Sequence, residues 1–315
     1  MMEEKQQYRA YGMILLTGIL WGTIGIYVDA LRQSGFSSLQ IVTLRAITTV
    51  FWMSLYILLT KGRIKKLPVR LLPYVFGTGV LSIALFNWAY FQAIHLITLS
   101  VAAALLYTGP AFVVVLARIF FKEPFTREKQ IAVVLTTFGA ALASGVSSNE
   151  LVQILSHTNI ISNPTLIFGN VTIVGLLIGL LSGFSFALYS IFAKPLTSYI
   201  PAEEIVFYTF LMTALTLIPF SGIINKINLI FNTKVILWML AFGLLPTALA
   251  FILYTSGLKI IGAGRAAMLA TVEPVVAVLL GVFLFANSLT LSQILGIVLI
   301  LIAVIILSER KHVKF

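Results

Sequence analysis

An all-α integral membrane protein, with ten transmembrane helices as two inverted five-helix repeats, is the fold class this sequence predicts. Three observations carry it. The 315 residues are 60% hydrophobic and only 10% charged, more apolar surface than a water-soluble fold can bury. Ten windows are long and apolar enough to cross a bilayer. The two halves also resemble each other at one recurring offset. Pro110 and Pro274 lie 164 residues apart, as do Ala102-Ala103 and Ala266-Ala267, Tyr90 and Tyr254, Phe121 and Phe285, and Thr126 and Thr290.

In chain order the first half gives spans near 11–31, 39–59, 71–93, 98–117 and 130–146. The second gives 173–195, 203–222, 235–257, 262–285 and 291–308. Repeat one is therefore 1–146, an external connecting loop is 147–172, and repeat two is 173–315. Within the connector, Leu151, Val152, Ile154 and Leu155 suit a brief interfacial helix. Asn170-Val171-Thr172 fits a glycosylation acceptor but abuts the next span. Five crossings per half is an odd number, so the second copy enters the membrane upside down. Each half opens with a GxxxG pair, Gly18/Gly22 and Gly179/Gly183, read as close helix packing.

Charge sets the orientation. The net charge is +11, yet the basic residues lie in short loops, so they read as topology signals beside anionic lipid and not as a nucleic-acid surface. With the N-terminus inside, seventeen of the 21 Lys and Arg residues fall on the inner side; only Arg32, Lys226 and Lys234 fall outside, and Arg45 lies within the second span. Both termini are expected to be cytoplasmic, in a multi-pass protein of the cell membrane. Met1–Arg9 is short and polar, which does not suit a cleavable signal. Cysteine is absent and only three histidines occur, so no disulfide, metal site or cofactor is expected.

The central stretch is Arg265–Phe285, with Glu273 at its middle and Pro274 directly after it. A carboxylate at the centre of a spanning helix costs about 2.5–3.5 kcal/mol. The proline removes a backbone donor at the same point. Two roles fit Glu273: binding a substrate amine or a coupling proton, or serving the fold by capping or pairing. Arg45 could snorkel, hold a substrate carboxylate, or pair with Asp29, and the structural pairing is the favoured reading. Thr17, Trp21, Gly25 and Asp29 recur at four-residue steps. Ser182, Ser185 and Tyr189 share a face, as do Asn87 and Tyr90, with Trp88 alongside. Tyr107 precedes Pro110. These faces suit a cavity for a small molecule with a polar end, or hydrogen bonding between helices. Cavity residues on this reading are Trp21, Asn87, Trp88, Tyr90, Tyr107, Ser182, Tyr189, Tyr254 and Glu273. Asp29, Arg45, Pro110 and Pro274 are expected to serve structure or gating.

Leu20-Trp21-Gly22, Arg45, Thr108-Gly109-Pro110 and Glu273-Pro274-Val275 together resemble the EamA family of the drug/metabolite transporter superfamily. Tyr254, Gly262-Ala263 and Arg265-Ala266-Ala267 look like that family's entry to the ninth helix. Phe121-Lys122-Glu123-Pro124-Phe125-Thr126 looks like its acidic turn after the fourth. The second repeat departs from the pattern, with Asn287 where an acid is usual. The resemblance implies a carrier that works by alternating access around a central cavity. Known members move amino acids, other metabolites, nucleotide sugars or drugs, so the resemblance leaves the substrate open. The expected function is a secondary transporter exporting small metabolites such as amino acids or related amphipathic compounds. A lipid-linked-sugar flippase or multidrug exporter of the same fold is the alternative. The expected partners are a small-molecule substrate, the bilayer and a coupling proton; oligomeric state is not encoded. An intramembrane enzyme is disfavoured, because HExxH, GxSxG and GxxxxGK[ST] are all missing.

Overall fold

A computed structural model describes residues 2–62, 66–145, 167–168, 171–285 and 289–308. The expected interfacial helix at 151–155, Asn170 of the acceptor motif and Asn287 lie outside the described residues. Eight helical segments are long and apolar enough to cross a membrane: α1 Glu4–Gln33, α2 Ser38–Lys61, α3 Val69–Leu96 and α4 Leu99–Phe121, then α6 Ile173–Leu196, α7 Ala202–Ser221, α8 Thr233–Ile261 and α9 Ala263–Leu284. Two shorter helices, α5 Arg127–Ala143 and α10 Leu291–Ser308, are also among the described residues. Among the described residues the only strands are a two-residue ribbon in the connector, Ile167–Phe168 against Val171–Thr172.

The helix starts are chemically marked. Ser37 and Gln40 form a reciprocal capping box at α2. Thr98 accepts from the Val101 N–H at α4, and Thr126 from the Lys129 N–H at α5. Large apolar side chains such as Leu59, Phe220 and Phe283 remain exposed on the outside, as a lipid-facing surface requires.

Several spans are interrupted. α1 breaks at Thr23. α4 breaks at Tyr107–Thr108, before Gly109-Pro110, and α9 breaks at Thr271, before Glu273-Pro274. The two breaks fall at the same offset as the prolines, and the starts of α4 and α9, Leu99 and Ala263, share it. α3 and α8 each contain a π-helical stretch, Gly77–Ala84 and Leu244–Leu249. In the second, the Thr247 hydroxyl donates to Phe242 O at 2.8 Å, five residues back. Such wide turns re-aim the helix that follows and recur at functional sites.

Small residues set the closest approaches. Gly18 and Gly22 of α1 press on Val272 and Val276 of α9; a Cβ on Gly22 would lie 2.6 Å from Val276 Cβ. Gly179 and Gly183 of α6 press in the same way on Leu105 of α4. α5 and α10 pack along each other, away from the centre. Pro110 and Pro274 are both buried.

Candidate functional site

A chamber of about 460 Å³ lies at the centre of the bundle. Its floor is where α4 and α9 break, with Tyr107, Pro110, Thr271 and Glu273 in the lining. Its far end reaches Arg32 and Ser38, at the α1–α2 junction, and His95 and Leu99, at the α3–α4 junction. Successive junctions alternate sides, so these two share one side of the bundle, opposite the N-terminus. The other side holds the end of α2 and the turn after α4.

The walls are aromatic. Trp21 is 4% exposed, with its ring 5.9 Å from Phe186 and 5.2 Å from Phe251. Phe86 meets Phe186 edge-on at 5.7 Å. Asn87, Tyr90 and Tyr107 complete the polar part of the wall, and the Asn87 amide donates to Ile83 O at 2.7 Å. Glu273 is the one carboxylate in the lining, against Arg32 and Arg45.

Several expected residues sit elsewhere. Trp88 is 44% exposed and lies off the chamber wall; one residue past Asn87 is a rotation of about 100° around the helix. Ser182 is buried and donates to Gly179 O at 2.6 Å. Tyr189 bonds Thr255 at 2.7 Å, and Tyr254 bonds Ser190 at 2.7 Å. These form a second layer behind the wall, where the Tyr254 ring backs Trp21 at 5.2 Å. Arg45 does not pair with Asp29. Asp29 accepts from Gln33 at 2.7 Å on an exposed helix end. Arg45 lines the chamber, with its guanidinium 5.4–6.0 Å from the ring centroids of Phe210, Phe242 and Phe251. The expected pairing fails because α1 breaks at Thr23 and carries Asp29 toward solvent. Pro110 is in the lining, and Pro274, next in sequence to the lining residue Glu273, is buried.

On the N-terminal side several helices are tied together. The Glu123 carboxylate accepts from Lys194 Nζ at 2.6 Å and Lys129 Nζ at 3.1 Å. It also accepts from the backbone N–H groups of Ala263 at 2.8 Å and Gly264 at 3.3 Å. One side chain thus joins α5, the end of α6 and the start of α9. Lys122, with φ of 54°, is the one non-glycine residue with positive φ among the described residues, and it aims the turn. Gly262 leaves room at the other end, since a Cβ there would lie 2.8 Å from Glu123 Oε1. Partial burial pushes the Glu123 carboxyl up. The bonds from Lys194 and Ala263 and the charges of Lys129 and Lys194 outweigh this and hold it down at about 2. A second tie joins Lys61 at the end of α2 to Glu203 at 2.8 Å and Glu204 at 3.2 Å. Glu203 and Glu204 read alone as an acidic helix start; the partner comes from more than 140 residues away. Because Leu99 sits at the open end and Ala263 at this tied end, α4 and α9 run in opposite directions.

A chamber among interrupted helices long enough to cross a membrane is the arrangement a membrane transporter requires. The EamA-like transporter family matches residues 9–145 and 173–309, and the chain belongs to that family. An uncharacterized transporter of Archaeoglobus fulgidus is 27% identical over 93% of this chain and 94% of its own length. An uncharacterized inner membrane transporter of Salmonella typhimurium is 26% identical, covering 94% and 93%. A solved structure sharing 16% identity superposes with a TM-score of 0.69 over 95% of this chain and 97% of that one, which shows the same fold.

Proposed function

We propose that the chain is a secondary transporter exporting small amphipathic metabolites, such as amino acids or related compounds, by alternating access between two inverted five-helix repeats. The observation that carries this reading is the chamber. It has aromatic walls and a lone carboxylate, and reaches the end of the bundle opposite the helices tied by Glu123. Paired breaks in α4 and α9, paired π stretches in α3 and α8, and the antiparallel course of α4 and α9 support an inverted repeat of ten helices. The positive side of the loops then puts both termini in the cytoplasm, in the cell membrane. The state described is one with the cavity facing outward. Opening inward requires Glu123 to release Lys194 and the start of α9. Trp21, Asn87, Tyr90 and Tyr107 contact the apolar body of the substrate. Glu273, the lining carboxylate, takes a substrate amine or the coupling proton.

Counterflow in proteoliposomes tests this, with amino acids, sugars and amphipathic drugs offered with and without a pH gradient. The expected result is exchange of one amphipathic class, recovered chemically unchanged. Absence of counterflow for every class, or recovery of an altered product, overturns the reading. Exchange that proceeds fully in Glu273→Gln, with the same pH dependence, removes the proton role of Glu273.

A further inference from the structure

Arg45 is a cation without a direct partner at the heart of the protein. It is 6% exposed and lies about two turns inside a spanning helix, Ser38–Lys61. A guanidinium has five N–H donors. Among the described residues none of them meets a protein acceptor, and Nε is buried with no hydrogen-bond partner. No carboxylate lies within ion-pair distance of it among those residues; Glu273 acts on it only through space. What holds the side chain is three phenyl faces, from Phe210, Phe242 and Phe251. Such contacts offset part of the cost of burying a cation but supply no acceptor, so Nε is left unsatisfied and the terminal nitrogens have none but what enters the chamber. Trp21, in the same lining, also has its indole N–H buried and unpartnered. The chamber therefore has donors to spare, and its one carboxylate stands against two arginines.

We infer that Arg45 is the anion receptor of the chamber, and that the transported class carries a carboxylate or similar planar anion on a flat apolar body. This rests on the transporter reading and narrows it. The planar fork of the guanidinium matches a carboxylate by two parallel bonds, which lysine cannot reproduce. The rings around Arg45 keep water from competing. The unpartnered Trp21 N–H lies in the same lining, and Trp21 and Arg45 both pack on Phe251. A bare ammonium head meets an unfavourable charge at Arg45 and has only Glu273 to bind. A zwitterion fits both groups, carboxylate to Arg45 and amine to Glu273. An amphipathic cation without a carboxylate is discriminated against.

The test is direct binding by titration calorimetry on the purified full chain in detergent, which reads recognition without requiring flux. The probes share one body and differ in head group: 3-phenylpropionate, 3-phenylpropanamide and 3-phenylpropylamine. Charge-assisted bonds to a buried guanidinium predict that the carboxylate binds about 10- to 100-fold tighter than the amide, and tighter still than the amine. This comparison is made on the wild-type chain, so it stands even if a variant misfolds. Arg45→Gln is expected to make carboxylate and amide bind alike, and Arg45→Lys to recover only part of the difference. Glu273→Gln is expected to leave 3-phenylpropionate at least as tight while weakening phenylalanine. Equal binding of the three probes by the wild type, or preference for the amine, overturns the inference. So does an Arg45→Gln protein that melts earlier but keeps the wild-type ratio, since that is what a purely structural arginine gives. Failure of the transporter reading looks different: the head-group preference persists in calorimetry while no probe exchanges across proteoliposomes.

Discussion

Replacing Glu123 by glutamine keeps the size of the side chain and removes its charge. The carboxylate accepts four bonds, two of them from ammonium groups. Its pKa stands at about 2 against an ordinary 4.5, a difference worth about 3 kcal/mol at neutral pH. The share due to Lys194 and the start of α9 is present only while α6 and α9 stay against the turn; the share from Lys129, on the adjoining α5, remains. Loss of the carboxylate charge shifts the balance between closed and open states at this end by at most about 100-fold. The chain has no cysteine, so a single introduced thiol reports the shift. Val114 is 3% exposed beneath the tie, near Gly264. In Val114→Cys, modification by an impermeant maleimide from the N-terminal side should be slow. Adding Glu123→Gln should speed it by one to two orders of magnitude. A reporter at Ser38, in the lining at the far end, should slow in the same background. If both rates stay unchanged while the protein remains folded and labelled normally at a surface control, Glu123 does not hold this end closed.

Other outcomes follow from the same geometry. The Glu123 carboxyl is depressed in the folded chain, so its contribution is full above pH about 4.5 and is lost as pH falls through about 2. Melting temperature should therefore fall across the upper part of that window in the wild type and change less in Glu123→Gln. Lys61→Met should cost under about 1 kcal/mol in denaturation, because Lys61 is 30% exposed and solvent screens its pair. Gly22→Leu forces a side chain into Val276 and should destabilise by about 1–3 kcal/mol or more, seen as reduced thermal stability and altered transport. Trp21→Ala should abolish substrate binding, measured by calorimetry, while Trp88→Ala leaves it near wild type, since Trp88 lies off the wall.

Much of this architecture is written in local sequence. Apolar length marks the spans, and the two prolines mark where α4 and α9 break. Thr98 and Thr126 mark helix starts, because capping is decided within three residues. The face of a helix is harder to read. Asn87, Trp88 and Tyr90 look alike as a polar-aromatic cluster, and only the π stretch at Gly77–Ala84 and the packing of α6 fix which of them turns inward. Composition does not announce a wide turn. The aromatic wall of Phe86, Phe186, Phe242 and Phe251 was equally hidden, since a phenylalanine facing lipid and one facing a cavity read the same. Arg45 was legible as costly but not as unpaired. The Glu123 cluster joins Lys129, Lys194 and Ala263, a span of 140 residues. Lys194 and Lys129 alone are indistinguishable from loop charges that orient the chain.

The wide turns in α3 and α8 carry one further consequence. Each fits an additional amino acid into a helix whose ends are already anchored, at Val69 and Leu96 in one case and Thr233 and Ile261 in the other. Deleting one residue there returns the segment to ordinary α-helical winding without moving those anchors. Each flank then keeps its register with its own anchor, and only residues of the wide turn, Ile83 of the chamber lining among them, change what they face. Length variation at these two places offers relatives of this fold a way to repaint the inner wall while the scaffold stays still.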